Sequence, residues 1–332
     1  MILLRIFKNN RAAGTAGMIL LLIAIFVPSF MDALGANGPA ELHSFTSMPF
    51  YNLIFGAIHK VPVLNHLVAM LIIMLISYTL IRIGVRDQLL QQRSLMPAIF
   101  FILFTASLPA ARQVSPALIG SLFYLLCFVI LFEVQDKKPD TLTIFVASLI
   151  LVLGSMFYLK LIWFVPLIWV SLWTMRSVTW RELFYPVVAY VLLALLLFTW
   201  YWGIHANGAG FVELVQNNMA ISGSFEPYHY SVYLFYGFML LLVFVASIFM
   251  VNWFQAMKTV AQKIYQVMFY MFLAGILFFH FIGRFDPPSL VYISIPVTFV
   301  LSNYFHRKRS PWIHELVLWI LLGLVVYVQL MV

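Results

Sequence analysis

The chain has 332 residues, of which 64% are hydrophobic and only 9% are charged, and its mean hydropathy is +1.01. A soluble globular domain is about half apolar and about a quarter charged, so the composition excludes that class. The formal net charge of +8 is typical of a membrane protein with basic cytoplasmic loops and does not indicate a nucleic-acid partner.

Eleven apolar runs follow one another along the chain, and most are long enough to cross a bilayer as a helix. We therefore predict an all-α polytopic transmembrane helix bundle that forms a single integral membrane domain over residues 1–332. The predicted spans are 14–31, 61–82, 95–110, 115–134, 141–159, 161–176, 182–203, 229–253, 263–283, 287–305 and 312–331. Some runs within 95–134 and 141–176 are short, which leaves open whether they cross fully or are re-entrant.

Lysine and arginine are unevenly distributed between the segments that connect the predicted spans. If the amino end is cytoplasmic, fifteen of the nineteen basic residues fall in the six inner segments. The positive-inside rule predicts this asymmetry, so we expect the amino end to be cytoplasmic and the carboxyl end extracytoplasmic. The four basic residues on the outer side are Lys60, Arg112, Lys160 and Arg284.

The first outer loop, residues 32–60, carries candidate catalytic groups. Asp32 directly follows the first span in FVPSFMDALGANGP, and Glu41 and His43 follow in PAELHSF. A carboxylate at the membrane edge can act as a general base or bind a metal, so a divalent cation is a candidate cofactor and the sequence indicates no other. The alternative for Asp32 is a solvated acid at a helix end.

The same loop contains SMPFYNLIFGAIHKVP, residues 47–62, whose apolar run is too short to span. It predicts a short interfacial helix with Phe50, Leu53, Ile54 and Ala57 on one face. Such a helix either packs against the bundle as an anchor or gates a substrate.

Three outer cations lie further along the chain, in LPAARQVSP (Arg112), MFYLKLIWFVP (Lys160) and HFIGRFDPPS (Arg284). A cation at this depth needs solvent or a partner, and a phosphate or pyrophosphate headgroup is a suitable partner. Snorkelling at a hairpin tip is the alternative. The DPP sequence predicts that Asp286 caps the following helix and pairs with Arg284.

The second long outer loop, residues 203–228, is longer than a membrane hairpin requires, which indicates a binding or lid role. A surface helix at 211–221 between flexible ends is the alternative. The candidate acceptor-binding residues of this loop and its border are His205, Glu213, Glu226 and His229.

Several common motifs are absent from the sequence. It contains no G-x-x-x-x-G-K-[ST], no H-E-x-x-H and no G-x-S-x-G, which are signals of nucleotide, zinc-peptidase and hydrolase sites. We therefore assign no metal-ligating residues. Charged residues deep within the spans are nearly absent, which argues against a proton pump or an ion-driven transporter.

The stretches SLPAARQVSPALIGSLFYLLCFVILFEV, LGSMFYLKLIWFVPLIWVSLW, TWRELFYPVVAY and SMPFYNLIF carry a resemblance. The chain resembles an uncharacterised multi-span family of the bacterial inner membrane, a domain of unknown function, and this resemblance implies location but no activity. The layout is also similar to the C-class glycosyltransferases, which use lipid-linked sugars and carry a catalytic acid just after helix one. Asp32 is the matching position, but this chain lacks an adjacent acidic pair and an outer soluble domain.

Together these features predict a multi-pass protein of the bacterial inner membrane that transfers a sugar from a polyprenyl-phosphate carrier to an envelope acceptor. Asp32 would be the base, the outer cations would bind the phosphate, and the 203–228 loop would bind the acceptor. The alternatives are a non-catalytic membrane subunit of an envelope secretion or assembly complex, or a transporter of a lipid-linked intermediate. The expected partners are membrane lipids and envelope proteins.

Overall fold

A computed structural model describes the chain over residues 12–35, 48–87, 89–90, 94–133, 141–176, 178–205, 208–219, 229–283, 285–306 and 311–331. Within these residues the regular structure consists of helices and helical turns, without a strand. The prediction of an all-α chain is thus confirmed.

Thirteen α-helices form the described part of the bundle, in an order that follows the apolar runs. Each of the eleven predicted spans coincides with a helix, in two cases with a 3₁₀ segment, Leu159–Phe164 or Pro287–Leu290, leading into it. In chain order the helices are α1 (Ala12–Gly35), α2 (Pro49–Phe55), α3 (Pro62–Arg86), α4 (Met96–Thr105), α5 (Pro116–Glu133), α6 (Thr141–Ser155), α7 (Val165–Met175), α8 (Trp180–His205), α9 (Gly208–Met219), α10 (Tyr230–Trp253), α11 (Thr259–Leu277), α12 (Val291–His306) and α13 (Pro311–Met331).

Proline marks many of the helix starts. A proline at the first turn lacks an N–H that would in any case have no partner within the helix, and its fixed φ suits helical geometry. The prolines at the first or second position of a helix include Pro49, Pro62, Pro97, Pro116 and Pro166. The proline-rich turns of the sequence are therefore helix boundaries.

Eight of the helices in the described ranges are long and apolar enough to cross a membrane, which makes the chain a multi-pass membrane protein. The shorter apolar helices are α4, α6 and α7, with 10, 15 and 11 residues. At ~1.5 Å per residue, a ten-residue helix covers about half of the ~30 Å hydrocarbon core. At these lengths none of the three α-helices spans the hydrocarbon core by itself.

The centre of the bundle is formed by α12 and its neighbours α4, α5, α10 and α11. The segment that contains α12 is 83% buried within the protein, whereas the span in α8 is only 22% buried. Ser294, Thr298 and Ser302 of α12 donate their hydroxyls to carbonyls of the same helix. Small hydroxyl side chains that are satisfied internally let helices approach closely in an apolar interior.

The α5–α6 hairpin packs around Leu161 of the following 3₁₀ segment, at positions where both helices carry glycine. A Cβ on Gly120 would lie 3.0 Å from Leu161 Cδ1, and a Cβ on Gly154 would lie 2.8 Å from the same atom. Both distances are shorter than normal packing allows. The glycines thus make room for the turn that carries Lys160.

The two ends of the bundle carry different polar residues, and we name each end after one of them. Arg176 of the α7–α8 connection pairs with Glu182 at 2.9 Å, and Lys263 donates to the carbonyl oxygen of Met175 at 2.7 Å. We call this side the Arg176 end. The opposite side, which we call the Asp32 end, contains Asp32, Arg112, Lys160 and Asp286, and the candidate site lies there.

Candidate functional site at the Asp32 end of the bundle

Asp32 lies exposed in the last turn of α1. Ser29, one turn earlier, accepts a hydrogen bond from Nη1 of Arg112 at 3.2 Å. Residues three apart lie on the same side of a helix, so Asp32 faces the same neighbour as Ser29. The carboxylate interacts electrostatically with both Arg112 and His66. The structure thus brings the predicted base and one predicted phosphate ligand together.

Arg112 ends a 3₁₀ turn, Pro109–Arg112, and its side chain is buried, with only 1% exposed. Nε donates to the carbonyl oxygen of Ala106 at 2.8 Å and Nη2 to that of Ser107 at 3.0 Å. These carbonyls follow α4, where a helix end lacks intrahelical partners. Burial lowers the pKa of Arg112 to about 10 and nearby Asp32 opposes this effect, so the guanidinium remains charged at neutral pH.

His66, the fifth residue of α3, was not among the predicted site residues. Its Nδ1 donates to the main-chain oxygen of Arg112 at 2.9 Å, and only 7% of the residue is exposed. The neighbouring Asn65 accepts from the amide of Val114 at 3.0 Å. The polar pair within the apolar run VPVLNHLVAM was the available signal, and the structure shows that it holds the turn that carries Arg112.

The short interfacial helix predicted in the first outer loop corresponds to α2, which is followed by a 3₁₀ turn, Ile58–Lys60. Tyr51 is its buried residue, and the Tyr51 hydroxyl donates to the carbonyl oxygen of Val114 at 2.8 Å. Nε2 of His59 lies 2.7 Å from the same hydroxyl. Because the phenol has one proton, the imidazole is the donor of this second bond. Leu53 and Ile54, of the predicted apolar face, are exposed.

Burial of His59 lowers its pKa. The imidazole is therefore neutral at physiological pH. Its Nε2–H donates to the Tyr51 hydroxyl, and Nδ1 takes no part in that bond. The contact fixes α2 beside the turn that carries Arg112, so α2 borders the candidate site without covering Asp32.

Lys160 lies in the 3₁₀ segment between α6 and α7, at the predicted hairpin tip, and is only 9% exposed. The carboxylate of Asp286 interacts electrostatically with it. Asp286 occupies the N-cap position of the 3₁₀ turn Pro287–Leu290, but its side chain makes no capping hydrogen bond. The prediction that this carboxylate caps the helix is wrong. Ser289 instead donates its hydroxyl to the main-chain oxygen of Asp286 at 2.6 Å.

The backbone before Asp286 is unusual. The helix α11 continues into a π turn, Phe278–Ile282, and Phe285 has a positive φ of 63°. A bulky residue rarely adopts this conformation, and π turns frequently occur at functional sites. The two features flank position 284 and hold Asp286 beside the Lys160 turn.

A small cleft lies between the turn that carries Arg112 and the turn that carries Asp286. It is bordered on one side by Thr105, Ala111 and Ser115, and on the other by Pro287 and Pro288. Ala111 directly precedes Arg112, and Pro287 directly follows Asp286. The cleft therefore runs from the Arg112 turn to the Asp286 turn, with apolar walls and two hydroxyl groups.

The second long outer loop contains a surface helix, α9, close to the alternative predicted at 211–221. It packs against α8 and against the 3₁₀ segment that carries Lys160. Glu213 is exposed on it, and His205 is the last residue of α8. His229 caps α10, since its Nδ1 accepts from the amide of Ser231 at 3.3 Å. The predicted acceptor loop therefore does adjoin a predicted phosphate ligand.

Four predicted site residues lie outside the described residues, namely Glu41, His43, Glu226 and Arg284. Among the residues with a described position, no group of three or more His, Cys, Asp or Glu side chains could hold a metal ion. The geometry therefore rests on Asp32, His66, Arg112, Lys160 and Asp286.

Comparison of the chain with protein-family models, with curated proteins and with solved structures finds no match in any of the three. The function is therefore inferred from the geometry at the Asp32 end.

Proposed function

We propose that this protein is an enzyme of the bacterial inner membrane that transfers a sugar from a polyprenyl-phosphate carrier to an acceptor in the cell envelope. The proposal includes eleven spans, a cytoplasmic amino end and an Asp32 end that faces outward. The observation that supports it is the position of Asp32, an exposed carboxylate at the end of α1, beside the buried cation Arg112.

The reaction uses Asp32 as a general base. The acceptor hydroxyl loses its proton to the carboxylate, and its oxygen forms a bond to the anomeric carbon of the sugar. The bond between that carbon and the carrier phosphate breaks, and the electron pair leaves with the phosphate. A base positioned for this proton transfer contributes about 10²- to 10⁴-fold to the rate.

The leaving phosphate is stabilised by positive charge at the membrane surface. Arg112 and Lys160 both lie at the Asp32 end, where Asp32 interacts electrostatically with Arg112 and Asp286 with Lys160. In surroundings of low dielectric, fixed cations act on a developing anion more strongly than they do in water. The isoprenoid chain of the donor remains in the bilayer, so the donor approaches from the lipid side.

Asp32→Asn tests the proposal. Membranes that contain the protein are supplied with radiolabelled hexoses and pentoses on polyprenyl phosphate, and the label that leaves the lipid fraction is measured. Because the amide cannot accept the proton, we expect transfer to fall by about 10²-fold or more. Transfer by Asp32→Asn at the wild-type rate would remove the catalytic role.

Glu133→Gln is the matched control, since it makes the same chemical change at the Arg176 end. Glu133 is partly exposed at the end of α5 and pairs with Arg86. We expect this variant to transfer label at the wild-type rate and both variants to insert equally into the membrane. A comparable loss in Glu133→Gln would assign the effect of Asp32→Asn to folding.

The internal contacts of the cations favour a second candidate, a non-catalytic subunit of an envelope secretion or assembly complex. Arg112 already donates to Ala106, Ser107 and Ser29, and Lys160 lies beside Asp286. Cations engaged in this way serve the fold without a phosphate ligand. Purification in mild detergent tests this candidate: partners in fixed stoichiometry support it, and a stable, active monomer excludes it.

A further inference from the structure

A second group of charged side chains lies at the Arg176 end, where α7, α8 and α11 meet. Lys263 of α11 donates from Nζ to the main-chain oxygen of Met175, the last residue of α7, at 2.7 Å. Nη2 of Arg176, the next residue along the chain, donates to a carboxylate oxygen of Glu182 in α8 at 2.9 Å. An ammonium and a guanidinium therefore lie at one junction of three helices, which we call the α7–α8–α11 junction.

The charges at this junction do not balance. One carboxylate oxygen of Glu182 accepts from Arg176, and the other accepts from the amide of Thr179 at 3.1 Å. The ion pairs among the described residues leave Lys263 without a carboxylate, and its partner is the uncharged main-chain oxygen of Met175. An ammonium has three N–H bonds, and this contact uses one of them. The junction therefore carries net positive charge and a donor that can take an anionic ligand.

The guanidinium of Arg176 has an unsatisfied donor as well. Its Nε is buried and has no hydrogen-bond partner within the described part of the chain. Buried donors in proteins are rarely left without an acceptor. The side chain is 15% exposed, so the group is accessible from outside the bundle. Arg176 and Lys263 thus both favour an anion at the junction.

Exposed tryptophans indicate the depth at which the junction lies. Trp173 of α7 is 66% exposed and Trp180, the first residue of α8, is 80% exposed. Tryptophan is enriched at the membrane–water interface, where its ring lies at the level of the lipid headgroups. The two rings come shortly before and after Arg176 in the chain. The cations therefore lie at the depth of lipid phosphates.

We propose that the α7–α8–α11 junction binds the phosphate of an anionic phospholipid, with Lys263 and Arg176 as its ligands. Basic pockets between transmembrane helices bind acidic headgroups in this way. The acyl chains lie along α8, whose span is only 22% buried and on which Phe184 and Val188 are exposed. The site is at the opposite end of the bundle from Asp32, so it does not depend on the proposed function.

A comparison of two lipids on the wild-type protein is the first test. The purified protein is titrated with phosphatidylglycerol and with phosphatidylcholine of the same acyl chains, and bound lipid is counted by native mass spectrometry. Each basic residue near an acidic lipid surface contributes about fivefold in affinity, so we expect phosphatidylglycerol to bind at least about fivefold more tightly. Equal binding of the two lipids overturns the proposal. Displacement of phosphatidylglycerol by millimolar inorganic phosphate would assign the junction to a soluble anion and would also overturn it.

Substitutions of Lys263 locate the binding. Lys263→Gln removes the charge but keeps an N–H donor for Met175, whereas Lys263→Arg keeps the charge. We expect Lys263→Gln to bind phosphatidylglycerol about fivefold more weakly, with phosphatidylcholine unchanged, and Lys263→Arg to bind both as the wild type does. A purely structural lysine would not distinguish the two lipids.

Lys60→Gln is the matched control, because Lys60 is an exposed lysine at the Asp32 end. The unfolding midpoint of each variant in neutral detergent shows whether the fold is intact. Wild-type affinity of Lys263→Gln for phosphatidylglycerol, or an equal loss in Lys60→Gln, overturns the site. If Lys263→Gln does not fold, the comparison of the two lipids on the wild type still decides.

Discussion

Arg112 places a permanent charge among side chains that exclude water, and its hydrogen bonds explain how the bundle tolerates this charge. The planar guanidinium reaches Ala106, Ser107 and Ser29 at once. It thereby satisfies carbonyls at the end of α4 and joins this end to α1. The charge is retained near Asp32, where the proposed reaction develops an anion, so one side chain serves both the fold and the site.

Arg112→Lys tests the structural part of this role. An ammonium group keeps the charge but lacks the planar fork, so it cannot donate in all three directions. Each buried acceptor left without a partner costs about 1–3 kcal/mol. We expect a decrease in the free energy of unfolding of at least this size, measured by titration of mixed micelles with a denaturing detergent.

Arg181→Lys is the control for this substitution, because Arg181 lies exposed near the start of α8. Its free energy of unfolding should stay within about 0.5 kcal/mol of the wild type. Equal stability of Arg112→Lys and Arg181→Lys would show that the hydrogen bonds of Arg112 contribute nothing measurable.

The individual residues show where sequence reasoning reached its limit. Asp32 and Arg112 were found because charge is rare in this chain and each stands at the end of an apolar run. His66 was not found, because its partner is a main-chain carbonyl 46 residues away, and a main-chain partner leaves no pattern in the sequence. The side-chain cap expected of Asp286 is absent, and the carboxylate interacts electrostatically with Lys160, 126 positions earlier in the numbering.

At the scale of the elements, the α5–α6 hairpin depends on glycine for its close packing. A Cβ on Gly154 would lie 2.7 Å from Phe123 Cβ and 2.8 Å from Leu161 Cδ1. Neither atom can move freely, because Phe123 stacks on Phe157 at 5.4 Å and Leu161 is fully buried. The fit of this hairpin therefore sets the position of the Lys160 turn.

Gly154→Ala is expected to destabilise the protein. Overpacking of a well-filled core by one methyl group costs about 1–3 kcal/mol, and this exceeds the gain of up to about 1 kcal/mol from replacing a helical glycine. The free energy of unfolding in mixed micelles measures the difference. If sugar transfer is established, it should also fall, because the methyl group displaces the turn that carries Lys160.

The control is Gly237→Ala, in α10, where no atom lies within 4 Å of the added Cβ. This variant should be as stable as the wild type or slightly more stable. Destabilisation by Gly154→Ala no greater than that by Gly237→Ala would mean that the hairpin yields to the added methyl group.

The helices themselves were largely predictable, because in a bilayer the backbone must satisfy its own hydrogen bonds and apolar length is therefore informative. All eleven runs are helical, and α1 and α13 agree with the predicted spans to within a few residues. The arrangement was not predictable. An apolar run such as α4, buried at all ten positions, has the same composition as a lipid-facing run, so composition alone does not tell which helix is central.

At the scale of the whole molecule, the two ends carry different chemistry. Salt bridges that join connecting segments, such as Arg176 with Glu182, lie at the Arg176 end. At the Asp32 end, buried Arg112 interacts with Asp32 and buried Lys160 interacts with Asp286. The site therefore faces one side of the membrane only, and every proposal about its substrate depends on which side that is.

Cysteine labelling tests the orientation, and the chain is well suited to it because its one cysteine, Cys127, is fully buried. Lys60 and Lys258 are both exposed, and the predicted topology puts residue 60 outside and residue 258 inside. In intact spheroplasts, a membrane-impermeant maleimide should label Lys60→Cys and should label Lys258→Cys only after permeabilisation. The reverse pattern would turn the Asp32 end to the cytosol and exclude an envelope acceptor. Labelling of both positions from one side would instead show that an odd number of crossings between the two is missing.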